Sequence, residues 1–282
     1  MCTYSAVFLD IDGTLLNSQH RVMPCTRSHL QYLEGRGVPV ILCSARPPEG
    51  VKLVAEQAGV HGPAACYNGG LIFDENGSIL RDAGIDIRLA MDFRRFAAER
   101  FPDLVVSAYL YSVWIAEDTH HPLVEQEADI SGCTPLQGFL EQIAASASHI
   151  HKFLCMGDAM RIRALEKETA QHFPQLMALR SKATYLEILP PEATKGSAAK
   201  VFLEHYGLTA KQAVAFGDSD VDVDMLRYCG LGVAMGNAPR QVKEAADYVT
   251  ASNDEEGVYI ALNSLRMRAP GSSGKPRKCD AL

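Results

Sequence analysis

Two acidic stretches stand where chemistry is most readily built. Near the start of the chain, Val7-Phe8-Leu9-Asp10-Ile11-Asp12-Gly13-Thr14 sets two carboxylates directly after an apolar run. Far along it, Phe216-Gly217-Asp218-Ser219-Asp220-Val221-Asp222 again ends an apolar run in acid. In extended backbone, residues two apart point the same way, so Asp10 and Asp12 are expected to face one site. Carboxylates gathered without a counter-ion repel: two charges ~4 Å apart cost about 4 kcal/mol at an effective dielectric of 20. Such a cluster needs a cation, and oxygen-only ligands select a hard one such as Mg2+. Lys195, in Thr194-Lys195-Gly196, is a further source of positive charge. A calcium EF-hand is rejected, because Val223 stands where its loop needs Gly and Cys229 where it needs Glu. Asp220 and Asp224 read as the solvated acidic start of a helix.

The elements around these residues alternate. Ala6 to Leu9 and Pro39 to Cys43 are continuous apolar runs, as in strands covered on both faces. Between them, Pro24 to Glu34 carries Leu30 and Leu33 at helical spacing and runs into Gly35 and Gly37. Ala64 to Tyr67 reads as a third strand, followed by Asn68-Gly69-Gly70; Leu71 to Phe73 and Ser78 to Leu80 then flank Asn76-Gly77, a two-residue hairpin signal. From Ala83 to Glu187 the rhythm changes. A helix with Leu89, Phe93 and Phe96 on one face, strand-like Leu104 to Ala116 and His149 to Met156, helix Met160 to Phe173 and strand Tyr185 to Leu189 make a separate α+β layer. After Pro190-Pro191 the first pattern returns, with helices Lys195 to Tyr206, Asp222 to Cys229 and Pro239 to Ala246 around strands Ala213 to Phe216 and Leu231 to Ala234.

The expected fold is therefore α/β, a doubly wound parallel sheet interrupted by an inserted α+β module. Residues 1–82 and 189–267 form the discontinuous core, 83–188 the insertion and 268–282 a loose tail. Ligands of open α/β sheets bind beyond the carboxyl ends of the strands, where Asp10 and Asp12 fall.

The 282 residues carry 27 Lys+Arg against 34 Asp+Glu, a net charge of −7, so no basic field draws in nucleic acid or an anionic membrane. No run approaches the ~18 apolar residues of a spanning helix, and with no export signal read a cytoplasmic setting with reduced thiols is expected. The eight cysteines form no CxxC pair, and His120-His121 and His149-x-His151 have no Cys or acid at ligand spacing, which argues against zinc. Gly230-x-Gly232-x-x-x-Gly236 misses the dinucleotide fingerprint.

The segment Asp10 to Thr14, then Ser44, Lys195 and Gly217 to Asp222 resemble, in order, the four motifs of the haloacid dehalogenase-like (HAD) phosphatases. Leu186-Glu187-Ile188, Lys195-Gly196-Ser197-Ala198, Gly232 to Ala238 and Ala246 to Thr250 are similar to the Cof-type subfamily, whose inserted cap is α/β. The resemblance implies a small phosphorylated metabolite as substrate, Asp10 as nucleophile and Asp12 as acid and base, with Ser44 and Lys195 on the phosphoryl group. It implies that Asp10, Asp12 through its backbone carbonyl, and Asp218 hold Mg2+ while Asp222 orients them. Ser44, Ala45, Asn68, Gly69, Lys195 and Asn237 are the implied substrate contacts, Asn68 and Asn237 reading equally as turn residues.

Three departures from the family's pattern stand out: Val221 replaces the family's Asn, with Ser219 as candidate substitute donor, Ala45 replaces Gly, and Asp220 stands where Glu or Asp often varies, which carries little weight. They leave three readings: a phosphatase for sugar phosphates, pyridoxal phosphate or flavin mononucleotide, a phosphomutase or phosphotransferase with the same aspartyl-phosphate, or a weakly active phosphate-ligand binder. In the insertion, Tyr109, Tyr111, Trp114, His120, His121, His151 and Lys152 are candidate leaving-group contacts, each also readable as core or surface.

Overall fold

The computed structural model describes residues 3–144 and 146–271. Eight strands form the larger sheet, in the order Tyr248–Val249, Leu231–Ala234, Ala213–Gly217, Ala6–Asp10, Val40–Cys43, Ala64–Cys66, Leu71–Phe73, Ile79–Asp82. The first six run parallel, and the last two are joined to them by successive antiparallel pairings. Val7, Leu9, Val40 and Leu42 enter one hydrophobic cluster, whereas Ala6, Phe8, Ile41 and Cys43 enter another on the opposite face. That double burial is why these strands are apolar without alternation. Helices Pro24–Gly35, Pro48–Ala58 and Gly257–Ser264 cover the first face, and Lys195–His205, Val223–Tyr228 and Arg240–Ala245 the second.

Strand order reverses at Ala6–Asp10, which lies between Val40–Cys43 and Ala213–Gly217. Register then decides what meets there. Asp10 pairs with Cys43 and Leu9 with Phe216, so Asp10, Ser44 and Asp218 leave the sheet at one edge. This is the switch point at which such sheets bind ligands.

Helix Pro48–Ala58 has no counterpart in the sequence reading, although Pro48 at its start, Val51, Val54 and Ala58 at helical spacing and Gly59 at its end are all present in the sequence; Gly59 takes the left-handed conformation (φ 65°). The hairpin is also corrected. Gly77 donates to the Asp74 carbonyl and Asp74 to that of Ser78, making a wider loop than a two-residue Asn-Gly turn. The Asp74 carboxylate, accepting from the amides of Asn76 and Ser78, stabilises it.

The second sheet has six strands, ordered Leu136–Gln137, Val113–Ala116, Val105–Leu110, Lys152–Met156, Tyr185–Leu189, Met177–Lys182. Helices Ile87–Arg100 and Ala159–His172 pack Phe93, Ala97, Ile162 and Leu165 beneath it. The run 104–116 is two strands broken at Tyr111, which takes a positive φ of 49°. The run 149–156 also divides: His149–Ile150 pairs with the linking segment Ile85–Asp86, and only Lys152–Met156 joins the sheet. The tail expected from 268 lies outside the described residues beyond 271, whereas Arg268 donates its backbone N–H to the Tyr4 carbonyl.

His151, at the division, is fully buried. The expectation that no acid accompanies these histidines fails: Asp82 Oδ1 lies 2.8 Å from His149 Nε2 and 3.0 Å from His151 Nε2, and Oδ2 accepts from the Tyr111 hydroxyl at 2.6 Å. Separation of more than sixty residues hid that contact. Because His151 Nδ1 accepts the Tyr111 N–H, its proton is on Nε2, so that nitrogen has no lone pair for a metal. The group is a hydrogen-bonded link between the layers. Burial, only partly offset by Asp82, pushes His151 from 6.5 down to about 4. A lowered pKa in a base means that the unfolded chain binds the proton more tightly. Stability is complete above pH 6.5 and is lost as pH falls from 6.5 toward 4, by about 3 kcal/mol. Urea titrations at pH 7.5, 6 and 5 should show this slope, and His151→Gln should flatten it.

Candidate active site

Asp10 (5% exposed), Lys195 (2%) and Asp222 (0%) are buried where the parallel strands end. Lys195 Nζ donates to Asp10 Oδ1 and to Asp222 Oδ1, each at 2.5 Å. A lysine in the first turn of helix Lys195–His205 faces the unfavourable end of the helix dipole, and these two carboxylates compensate it. Burial opposes its charge, but Asp10 and Asp222 outweigh burial and raise its pKa.

Asp222 Oδ2 accepts from the Asp218 N–H at 3.0 Å and from the Ser219 N–H and hydroxyl at 2.9 Å. Both Asp222 oxygens are thus occupied, and its part is to hold Asp218 and Lys195 in place. Ser219, the candidate substitute donor, gives its hydroxyl to the Asp222 carboxylate. Asp218 takes the Thr14 hydroxyl at 3.0 Å, and Asn237 Nδ2 reaches the Gly13 carbonyl at 2.8 Å and Asp218 at 3.4 Å.

Carboxylate oxygens of Asp10, Asp218 and Asp222 all lie within 4.8 Å of one another. Burial, then Asp222, raises the pKa of Asp10 and of Asp218, and Lys195 lowers both without cancelling the rise. Three acids with one ammonium lack positive charge, and the donors are all oxygen, so a hard divalent cation fits the site. Gly13 makes the approach: its φ is +82°, and a Cβ there would stand 2.3 Å from Asp218 Oδ2. Gly13→Ala therefore combines backbone strain of about 1–3 kcal/mol with displacement of Asp218. Gly13→Ala should weaken binding of a divalent cation to this cluster, measurable by calorimetric titration.

Asp12 lies beyond the strand that carries Asp10. The strand ends at Asp10, the chain turns through Gly13, and the half-exposed Asp12 carboxylate lies outside the acidic trio. Arg46 Nε and Nη2 grip it as a fork at 2.8 and 2.7 Å. Burial would raise its pKa, but the hydrogen bonds and charge of Arg46 prevail and lower it. Arg46 was missed by sequence reasoning; its only signal was a guanidinium two residues after Ser44.

Ser44, 2% exposed, accepts the Arg46 N–H on Oγ at 3.1 Å, and its carbonyl takes the Asn68 N–H at 2.8 Å. Asn68, 2% exposed with φ 55°, leaves both amide atoms unpaired. It lines a cavity of about 240 Å³ with Lys195, Val221, Met177 and Leu179. Gly69, at φ +100°, packs closely on the Lys195 helix: a Cβ there would meet the Thr194 carbonyl and Ala198 at 2.8 Å. The Ala45 carbonyl meets Lys152.

Asp220 conforms to a solvated helix start: it is exposed and accepts from Gln241 Nε2 at 3.2 and 3.3 Å. Asp224 is likewise exposed in the first turn of helix Val223–Tyr228, and in addition its Oδ2 receives the Gly196 N–H at 2.9 Å and ties the Lys195 helix to the 218–224 turn. Of the aromatic candidates, Tyr109 and Trp114 stack at 5.5 Å inside the core, and His121 caps helix Pro122–Ser131.

A family profile described as haloacid dehalogenase-like hydrolase matches residues 7–262. A Haemophilus influenzae protein named "Putative phosphatase" is 35% identical over 259 residues, 92% of this chain and 97% of that protein. A Bacillus subtilis 5-amino-6-(5-phospho-D-ribitylamino)uracil phosphatase is 26% identical over 279 residues, covering 92% and 97%. The crystal structure of a haloacid dehalogenase-like hydrolase from Bacteroides thetaiotaomicron matches with a TM-score of 0.85 and 30% identity, covering 93% of this chain and 99% of that one.

Proposed function

This chain belongs to the haloacid dehalogenase-like hydrolases and is a phosphatase; from that premise we propose that it uses Mg2+ and an aspartyl-phosphate to hydrolyse small phosphomonoesters. Core residues 1–82 and 189–267 supply the catalytic groups and the cap, 83–188, covers them. The observation that carries this reading is the convergence of Asp10, Asp218 and Asp222 around one another with Lys195 bonded to two of them.

Asp10 attacks phosphorus through a carboxylate oxygen as the bond to the leaving oxygen breaks, and water then attacks the phosphorus of the acyl phosphate, releasing inorganic phosphate and restoring Asp10. Asp12 gives a proton to the leaving alkoxide and takes one from the water. With the Arg46 fork in place Asp12 is deprotonated, the form needed to activate water; donation to the leaving group requires the fork to release it. Ser44 donates to a phosphoryl oxygen, and Lys195 offsets negative charge on Asp10 and phosphate. When bound, Mg2+ supplies positive charge against the phosphoryl oxygens, held by Asp10, Asp218 and the Asp12 carbonyl. Positioning and electrostatics of this kind supply most of the catalysis of phosphoryl transfer.

The substrate class proposed is sugar phosphates, pyridoxal phosphate or flavin mononucleotide, in a reducing cytoplasm consistent with the free cysteines among the described residues. A panel of these esters, assayed with and without Mg2+ for inorganic phosphate, tests the proposal. Conservation of organic phosphate would make the protein a mutase instead, and binding without turnover would make it a sensor.

A further inference from the structure

Lys152, in the cap strand Lys152–Met156, is 5% exposed. Its Nζ crosses from the cap to donate to the Ala45 carbonyl at 3.0 Å, while Glu187 Oε2 lies 3.3 Å away on its own sheet and the Tyr109 ring 4.9 Å beneath. Glu187 is equally buried, at 5%. A buried ion pair is commonly no more stabilising than apolar side chains of similar volume, so cap stability alone does not account for it. The ammonium reaches the Ala45–Arg46 peptide, whose N–H donates to Ser44 Oγ and whose arginine side chain holds Asp12.

We propose that Lys152 is a positioning residue contributed by the cap to the catalytic loop. Bonded to the Ala45 carbonyl, its charge fixes and polarises that peptide, strengthening the Arg46 N–H bond to Ser44 Oγ. With a lone pair engaged there, the Ser44 hydroxyl proton is directed elsewhere, toward the phosphoryl site. The same peptide sets the starting point of the Arg46 side chain. Cap docking thereby completes the phosphate-binding turn. This inference rests on the phosphatase reading above.

Lys152→Met alone leaves Glu187 buried and unpaired, so the decisive variant is Lys152→Met/Glu187→Met, which removes both charges. The double variant is expected to unfold at nearly the wild-type temperature, while kcat on p-nitrophenyl phosphate drops roughly ten- to 150-fold, as for a lost hydrogen bond from a charged group. Adding Ser44→Ala to it should cost less than Ser44→Ala costs the wild type, because both act through one turn. Hydrogen exchange at the Arg46 amide should accelerate, a readout independent of turnover. Wild-type kcat with unchanged Arg46 exchange in the double variant, or Ser44→Ala effects that simply multiply, would overturn the proposal. Wild-type protein lacking Asp10-dependent turnover would instead remove the phosphatase reading, and the exchange measurement would still judge Lys152.

Discussion

Asp10→Asn is expected to reduce phosphate release by a factor on the order of 10⁴ to 10⁶, the range seen when a covalent catalytic residue is removed. The amide is nearly the same shape as the carboxylate but is a poor nucleophile toward phosphorus. The fold should tolerate the change well. Burial, Asp222 and Asp218 already act against a charge on Asp10, and Lys195 keeps its bond to Asp222 in the variant. Unchanged unfolding with abolished turnover would assign the loss to chemistry. Phosphate release surviving in Asp10→Asn would move the nucleophile elsewhere and remove the proposed intermediate.

Lys195→Met should have the opposite profile, damaging stability as well as rate. The ammonium is the only side chain bonded to both Asp10 and Asp222 among the described residues. Removing it leaves carboxylates at 5% and 0% exposure facing Asp218 without compensation. Breaking a buried pair from one side typically costs 3–5 kcal/mol, so the urea midpoint should fall by a corresponding amount. High Mg2+ should restore part of the loss, because a cation binding only the folded acidic cluster stabilises it by mass action. A midpoint equal to that of the wild type would mean that the acids are not charged and that Lys195 does not carry the neutralisation assigned to it.

The two substitutions differ because the sequence and the structure carry different information about these residues. Asp10 and Asp218 stood out in the chain because each follows an apolar run, a position set by local pattern, whereas Ser44 and Lys195 gained their roles only through resemblance to the family's motifs. The parallel sheet was legible for the same reason, since strands buried on both faces must be apolar throughout. Arg46 on Asp12, Asp224 on Gly196 and Lys152 on Ala45 were not, as each bond joins residues 28 or more apart. A lone charged residue in a loop looks the same whether solvated or paired.

Asp82 shows the limit most clearly. Sequence spacing gave His149 and His151 no acid, whereas the fold brings one carboxylate to both rings and the Tyr111 N–H fixes the tautomer of His151. The chain alone determined which residue types stand at the ends of its strands, because burial and backbone periodicity are local constraints. Only the tertiary structure decided which of those groups are charged, paired or held apart, because desolvation and Coulomb interactions depend on distances through space that register and cap docking set.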